Sequence, residues 1–141
     1  YISSMLEDPA YVPAGGAVEE ALAITIRNES TKYGGKEQLA MHAFANALEN
    51  IPKLLISNAG YNPVDVIPEL RSRHLNGEYY YGFNPYTGKV TNMIENSIIE
   101  SYKAKEQILK TSFETVTLLL RIDEVVDRRY AKRHEGELGG Q

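Results

Sequence analysis

A chain of 141 residues, 43% hydrophobic and 24% charged, is long enough for one domain with a real core, and none of its apolar runs approaches the roughly 18 residues that span a bilayer. The absence of cysteine excludes disulfides, thiolate nucleophiles and zinc–thiolate sites and agrees with a cytoplasmic protein. A formal net charge of -4 argues against nucleic acid and anionic membrane as partners, and the basic cluster Arg128 to Arg133 is diluted by Glu135 and Glu137.

The pattern predicts a mostly helical protein. Ile2, Met5 and Leu6 fall at helical spacing, so the chain is expected to open partway through an amphipathic helix that Asp8-Pro9 ends. Pro13-Ala14-Gly15-Gly16 reads as a tight loop. A helix is expected from Gly15 or Gly16, with Val18, Leu22 and Ile26 as its buried stripe and Ala21 beside them. After the polar link ending in Gly34-Gly35, a second helix starts near Lys36. Its expected inner face is Ala40, Phe44, Leu48 and Ile51, continued by Leu54 and Leu55. Pro52 removes the backbone bond to Leu48 and predicts a kink or restart. Gly60 reads as its C-terminal cap.

Asn62-Pro63-Val64-Asp65 is a helix start: a capping side chain, a proline at the first helical position and an acid facing the positive end of the dipole. Ile67, Leu70 and His74 share one face, which makes His74 a hydrogen-bonded core histidine, and Gly77 ends the helix. Tyr79 to Asn84 reads as a strand, Pro85-Tyr86-Thr87-Gly88 as a turn and Lys89 to Thr91 as the returning strand. The longest helix is expected from Tyr102 to Arg121, striped by Leu109, Phe113, Val116 and Leu120. A strand is expected over Ile122 to Val126, and then a charged, glycine-containing tail.

Little chemistry is signalled by these residues alone. His42, His74 and His134 lack the helical i+4 partners of a metal site, and no Gly-x-Ser-x-Gly elbow offers a serine nucleophile, so neither metal ligands nor catalytic residues are predicted. The Tyr79-Tyr80-Tyr81-Gly82-Phe83 run resembles a base-stacking platform, but no basic stripe accompanies it. Gly15-Gly16 ahead of a helix is a candidate phosphate cradle. Glu19 and Glu20 in the first turn would oppose a phosphate there but not a ribose or a base edge.

Several segments, in order, resemble group II chaperonins. They are Val12-Pro13-Ala14-Gly15-Gly16-Ala17-Val18-Glu19, Gly34-Gly35-Lys36-Glu37-Gln38-Leu39-Ala40 with Ala43-Phe44-Ala45, and Asn58-Ala59-Gly60-Tyr61-Asn62-Pro63-Val64-Asp65-Val66. Thr87-Gly88-Lys89-Val90 and Leu119-Leu120-Arg121-Ile122-Asp123-Glu124-Val125 complete the set. The resemblance covers roughly residues 2 to 126 and implies the C-terminal half of the equatorial domain of an ATP-driven double-ring folding machine. The expected division is residues 1–127 for that half-domain and 128–141 for a flexible tail. The resemblance also implies that ATP or ADP is the ligand. The Gly15 backbone would lie against the ribose with Gly16 beside it, Asn84 and Pro85 near the adenine, and Glu100 would accept from the ribose hydroxyls. The family's phosphate loop is absent, and the aspartate that positions the attacking water would precede Tyr1. Magnesium ligands are therefore expected elsewhere, and these residues alone are expected to be inactive as an ATPase. Other ring subunits and unfolded clients, the latter through an apical domain not present here, are the implied partners. The strand over Ile122 to Val126 resembles one shared with a neighbouring subunit.

The departures from the family pattern cluster near the adenine end. Ala14 stands for a glycine and would crowd the loop if the position needs positive φ. Asn84 and Asn92 replace acids, and Ser97 and Ser101 replace the glycine and proline that flank the ribose acid. They point to altered nucleotide affinity or, alternatively, to a helical scaffold that has lost effective nucleotide binding.

Overall fold

The computed structural model of the chain describes residues 10–118 and 121. The predicted opening helix, the strand over Ile122 to Val126 and the charged tail lie outside the described residues. In chain order the elements are β1 (Tyr11–Pro13), α1 (Ala17–Ser30), α2 (Gly35–Asn58), α3 (Pro63–Leu75), β2 (Tyr81–Asn84), β3 (Lys89–Asn92), β4 (Ile99–Ser101) and a helix α4 over 102–118. The protein is mostly helical, as the pattern predicts. Among the described residues the longest helix is α2, at 24 residues, rather than the one expected from Tyr102.

The locally signalled elements form where expected. Asn62 Oδ1 accepts from the Val64 N–H at 3.1 Å, Pro63 opens α3, and Gly77 comes just after its end at a φ of 82°. β2 and β3 form the predicted hairpin, with Phe83 opposite Val90 and Asn84 opposite Lys89. Tyr79 and Tyr80 lie outside the strand and are exposed. Phe83, Val90, Ile56, Ile67 and Leu70 make one core cluster, which docks the hairpin onto α2 and α3. Burying each of the larger ones contributes about 2–3 kcal/mol.

Two expected faces are rotated. In α1 the buried residues are Ala17, Glu19, Glu20, Ala23 and Ser30, while Val18, Leu22 and Ile26 are only half-buried. In α2 they are Ala45, Leu48, Glu49, Pro52 and Ile56, and Leu54 and Leu55 are exposed. The reason is electrostatic: buried ion pairs carry carboxylates into positions that hydrophobicity alone assigns to solvent. α2 also runs without interruption through Pro52. The proline packs inward against the Gly16 turn, a contact that offsets part of the loss of its N–H bond.

The pairing of β1 with β4 has no local signal. It is antiparallel and sets Tyr11 opposite Ser101, Val12 opposite Glu100 and Pro13 opposite Ile99. Residues 102–107 of α4 belong with the elements above, and residues 108–118 and 121 to a second compact unit. In that unit the described chain is helical and regular. Phe113 is exposed rather than buried, and Ser112, Thr115 and Thr117 each bond back to the carbonyl four residues earlier.

Candidate functional site

The loop Ala14–Gly16 lies between the two small sheets. Ala14 leaves β1 with its N–H on the Ile98 carbonyl at 3.0 Å, and the Gly15 carbonyl then accepts from the Phe83 N–H at 2.9 Å. Gly15 and Gly16 have φ values of 71° and 81°, a region that costs a side-chain-bearing residue about 1–2 kcal/mol. A Cβ at Gly15 would collide with the Phe83 carbonyl oxygen, and one at Gly16 would stand 2.6 Å from Pro52 Cβ. The glycines let the loop touch the hairpin on one side and α2 on the other. Ala14 is buried and is not among the positive-φ residues, so its methyl does not crowd the loop as its departure from the family pattern suggested.

Asn84 sits on the hairpin arm beside this loop. It is 4% exposed, its Oδ1 accepts from the Tyr86 N–H at 2.9 Å, and its carbonyl accepts from the Gly88 N–H at 2.8 Å. The side-chain oxygen therefore builds the turn, and Pro85 stands exposed at the turn's start. Two further departures do similar work. Asn92 Oδ1 accepts from the Ile94 and Glu95 N–H groups at 3.1 and 3.2 Å, and Ser101 Oγ accepts from the Ala104 N–H at 3.4 Å at the start of α4. Asn92, like Asn84, keeps a side-chain oxygen where the turn needs an acceptor, and Ser101 supplies one at the helix start that a proline there would lack. Ser97 differs: it takes a φ of 57°, a conformation that suits glycine.

Glu100 lies on β4 opposite Val12, and Val12 is three residues before Gly15. Its side chain is 38% exposed, and its Oε2 lies 2.5 Å from Lys105 Nζ. The same ammonium donates to Glu19 Oε1 at 2.5 Å. Burial alone would lower the Lys105 pKa, but the bonds to Glu100 and Glu19 outweigh it and hold the ammonium protonated. Glu19 is therefore a counter-ion to Lys105 rather than a solvated first-turn acid. The chemistry of this surface suits a sugar: an acceptor carboxylate and small-residue backbone are present, and carboxylates occupy the helix turn that a phosphate would need.

A second charged cluster joins α1, α2 and α3. Glu49, 1% exposed, accepts from Arg27 Nη1 at 2.8 Å and Arg71 Nε at 3.2 Å, with Arg71 Nη2 on its other oxygen and Lys53 Nζ 3.8 Å away. Burial pushes Glu49 upward, but the hydrogen bonds from Arg71 and Arg27 win and hold it at about 2. Glu20 beside it is fully buried, and neither of its oxygens has a hydrogen-bond donor. Burial first, then the Glu49 charge, pushes Glu20 up to about 8. Burial thus favours the neutral acid, whose proton would face Glu49. His74 is the predicted core histidine: its Nε2–H donates to the Tyr81 carbonyl at 2.8 Å, and burial lowers its pKa.

The structure thus brings Gly15 against the hairpin that carries Asn84 and Pro85 and Gly16 against Pro52 of α2, and places Glu100 on the strand paired with the one leading into that loop. Sequence reasoning missed Lys105, which no spacing flags because its partner Glu19 is 86 positions away.

Residues 1–129 match the model of the TCP-1/cpn60 chaperonin family. The chain is 39% identical over 125 residues to thermosome subunit beta of Thermoplasma acidophilum, covering 89% of this chain and 23% of that protein. It is 42% identical to thermosome subunit 1 of Haloferax volcanii, covering 89% of this chain and 22% of the relative. A solved open-state monomer of a group II chaperonin from Methanococcoides burtonii superposes with a TM-score of 0.74 at 40% identity, covering 79% of this chain and 28% of that one. The chain spans about a quarter of the length of these relatives.

Proposed function

The chain belongs to the TCP-1/cpn60 chaperonin family, and on that premise we propose that it forms the ribose- and adenine-facing wall of the nucleotide pocket in a subunit of an ATP-driven protein-folding ring. In this reading residues 1–127 are the C-terminal half of the equatorial domain and 128–141 a tail. The Gly15–Gly16 backbone meets the ribose, Asn84 and Pro85 border the adenine, and Glu100 accepts from the ribose hydroxyls. ATP supplies the energy of the folding cycle, while phosphate and magnesium contacts come from outside these residues. Isolated, the 141 residues should release no phosphate from ATP. Other ring subunits and unfolded clients are the partners and the cytoplasm the location. Among the described residues no helix is long and apolar enough to cross a membrane.

The observation that carries this reading is the glycine loop lying against the Asn84 hairpin while its entering strand pairs with the strand of the partly exposed Glu100. A vicinal diol can donate to such a carboxylate. The competing reading, a helical scaffold without effective nucleotide binding, draws on Asn84, whose side-chain oxygen is already bonded within its turn. The acceptor kept at Asn92 favours the nucleotide-binding reading, because that departure still closes its turn. Glu100→Ala in the full-length subunit decides: ATP affinity should fall about tenfold by calorimetric titration. Unchanged affinity would favour the scaffold.

A further inference from the structure

The Glu19–Lys105–Glu100 bridge has no role in the reading above, yet it links three separate elements at one buried point. Glu19 belongs to the first turn of α1, directly after the glycine loop. Glu100 belongs to β4, and Lys105 to the first turns of α4. The side chains of Glu19 and Lys105 are 3% and 13% exposed, so this ion pair is shielded from the solvent that weakens most surface pairs. Glu100 Oε2 is buried beside the ammonium although the side chain as a whole is 38% exposed. One carboxylate oxygen is thus turned inward against the ammonium, and the exposure of the group comes from the rest of the side chain.

We propose that Lys105 is a positioning residue for nucleoside recognition: it fixes the Glu100 carboxylate with one oxygen turned inward and ties that carboxylate to the helix carrying the glycine loop. This rests on the reading of Glu100 as the ribose acceptor. Removing the ammonium would leave two acids face to face. Two carboxylate oxygens each 2.5 Å from one nitrogen are at most about 5 Å apart, being twice that distance. Unscreened like charges at that separation repel in a buried setting. Either Glu100 swings away or one acid takes up a proton. Both outcomes spoil an acceptor that has to meet two adjacent hydroxyls, because a hydrogen bond weakens steeply with misalignment.

The test uses the full-length subunit and compares affinity for ATP with that for 2′-deoxy-ATP and 3′-deoxy-ATP. A general loss of stability lowers affinity for all three, whereas misplacing the ribose acceptor changes their ratio. The parent should prefer ATP over the deoxy analogues by roughly tenfold, the scale of one charge-assisted hydrogen bond. Glu100→Gln should remove most of that preference. Lys105→Met should bring the ratio to about two- or threefold, and Lys105→Arg, which keeps a cation, should restore most of it. Glu19→Gln weakens one anchor of Lys105 and should give an intermediate ratio, which keeps the proposal testable if Lys105→Met does not fold. If Glu100→Gln removes the preference but Lys105→Met and Glu19→Gln leave it at the parent value, the positioning role is wrong and the ribose reading stands. If Glu100→Gln itself leaves the preference intact, the ribose reading fails and the role of Lys105 fails with it.

Discussion

Substituting Glu20→Gln should make the folded protein more stable at alkaline pH, the reverse of the usual effect of altering a buried polar group. Glu20 is fully buried, lacks a donor for either oxygen, and lies beside Glu49, which is already charged and held by Arg27 and Arg71. Its proton is therefore retained in the folded state until about pH 8, whereas in the unfolded chain it leaves near 4.5. Below pH 4.5 both states are protonated and the group is neutral in its effect. As pH rises from 4.5 to about 8, the unfolded chain releases a proton that the folded one keeps, and stability falls. At about 1.4 kcal/mol for each pH unit, the penalty has an upper bound of roughly 4–5 kcal/mol, and relaxation around the site reduces it to roughly half. Glutamine matches the shape of the neutral acid and donates to Glu49 at every pH. Urea unfolding of parent and variant at about pH 5 and about pH 8 measures the difference. The two should be close at the lower pH, with the variant ahead by about 2 kcal/mol or more at the higher. A variant no more stable than the parent at the higher pH would mean that Glu20 is ionised and paired with Arg71, whose Nε lies 4.0 Å from it.

The same geometry sets further outcomes. Glu49→Gln, which leaves both arginines without their carboxylate, should cost about 3–5 kcal/mol in the same urea assay at neutral pH. Ser97→Gly should raise stability by about 0.5–1 kcal/mol, seen as a higher thermal midpoint, because the residue sits at a φ of 57°. Gly15→Ala should destabilise by several-fold more than that gain, since its methyl meets the Phe83 carbonyl oxygen, a backbone atom that cannot yield as a flexible side chain would. The His74 imidazole should lose its proton below its ordinary value of 6.5. Its ring-proton shift in NMR should titrate with a midpoint under that pH, and a midpoint at or above it would mean that burial does not outweigh the bond to the Tyr81 carbonyl.

What is legible in the chain is what is encoded within a few residues. α3 can be read because Asn62, Pro63 and Asp65 state its start and Gly77 its end, and the hairpin because Pro85 to Gly88 spell a turn. The helix faces depart from the hydrophobic pattern for one physical reason. Glu19 and Glu49 are acids that such patterning sends outward, while Lys105, Arg27 and Arg71 permit them inside, and Glu20 lies buried beside Glu49 where burial favours its neutral form. Such pairings join residues 86 or 22 positions apart and leave no periodic trace. The β1–β4 ladder gives no signal because three residues per strand are too few to alternate visibly. The site residues came from resemblance, and only the folded arrangement places Gly15 against Phe83 and Glu100 opposite Val12.

The seating of Gly16 on Pro52 has an evolutionary consequence. With 2.6 Å between a notional Cβ and the proline ring, position 16 cannot gain a side chain while the proline stays. A larger residue at 16 becomes viable only in a lineage whose helix has already exchanged its proline for something smaller, and even then only for side chains that tolerate left-handed backbone. The order of the two changes is thus constrained. Sequences that have lost the proline should be the ones in which the second glycine is found to vary, a linkage between a loop and a helix interior 36 positions further along the chain.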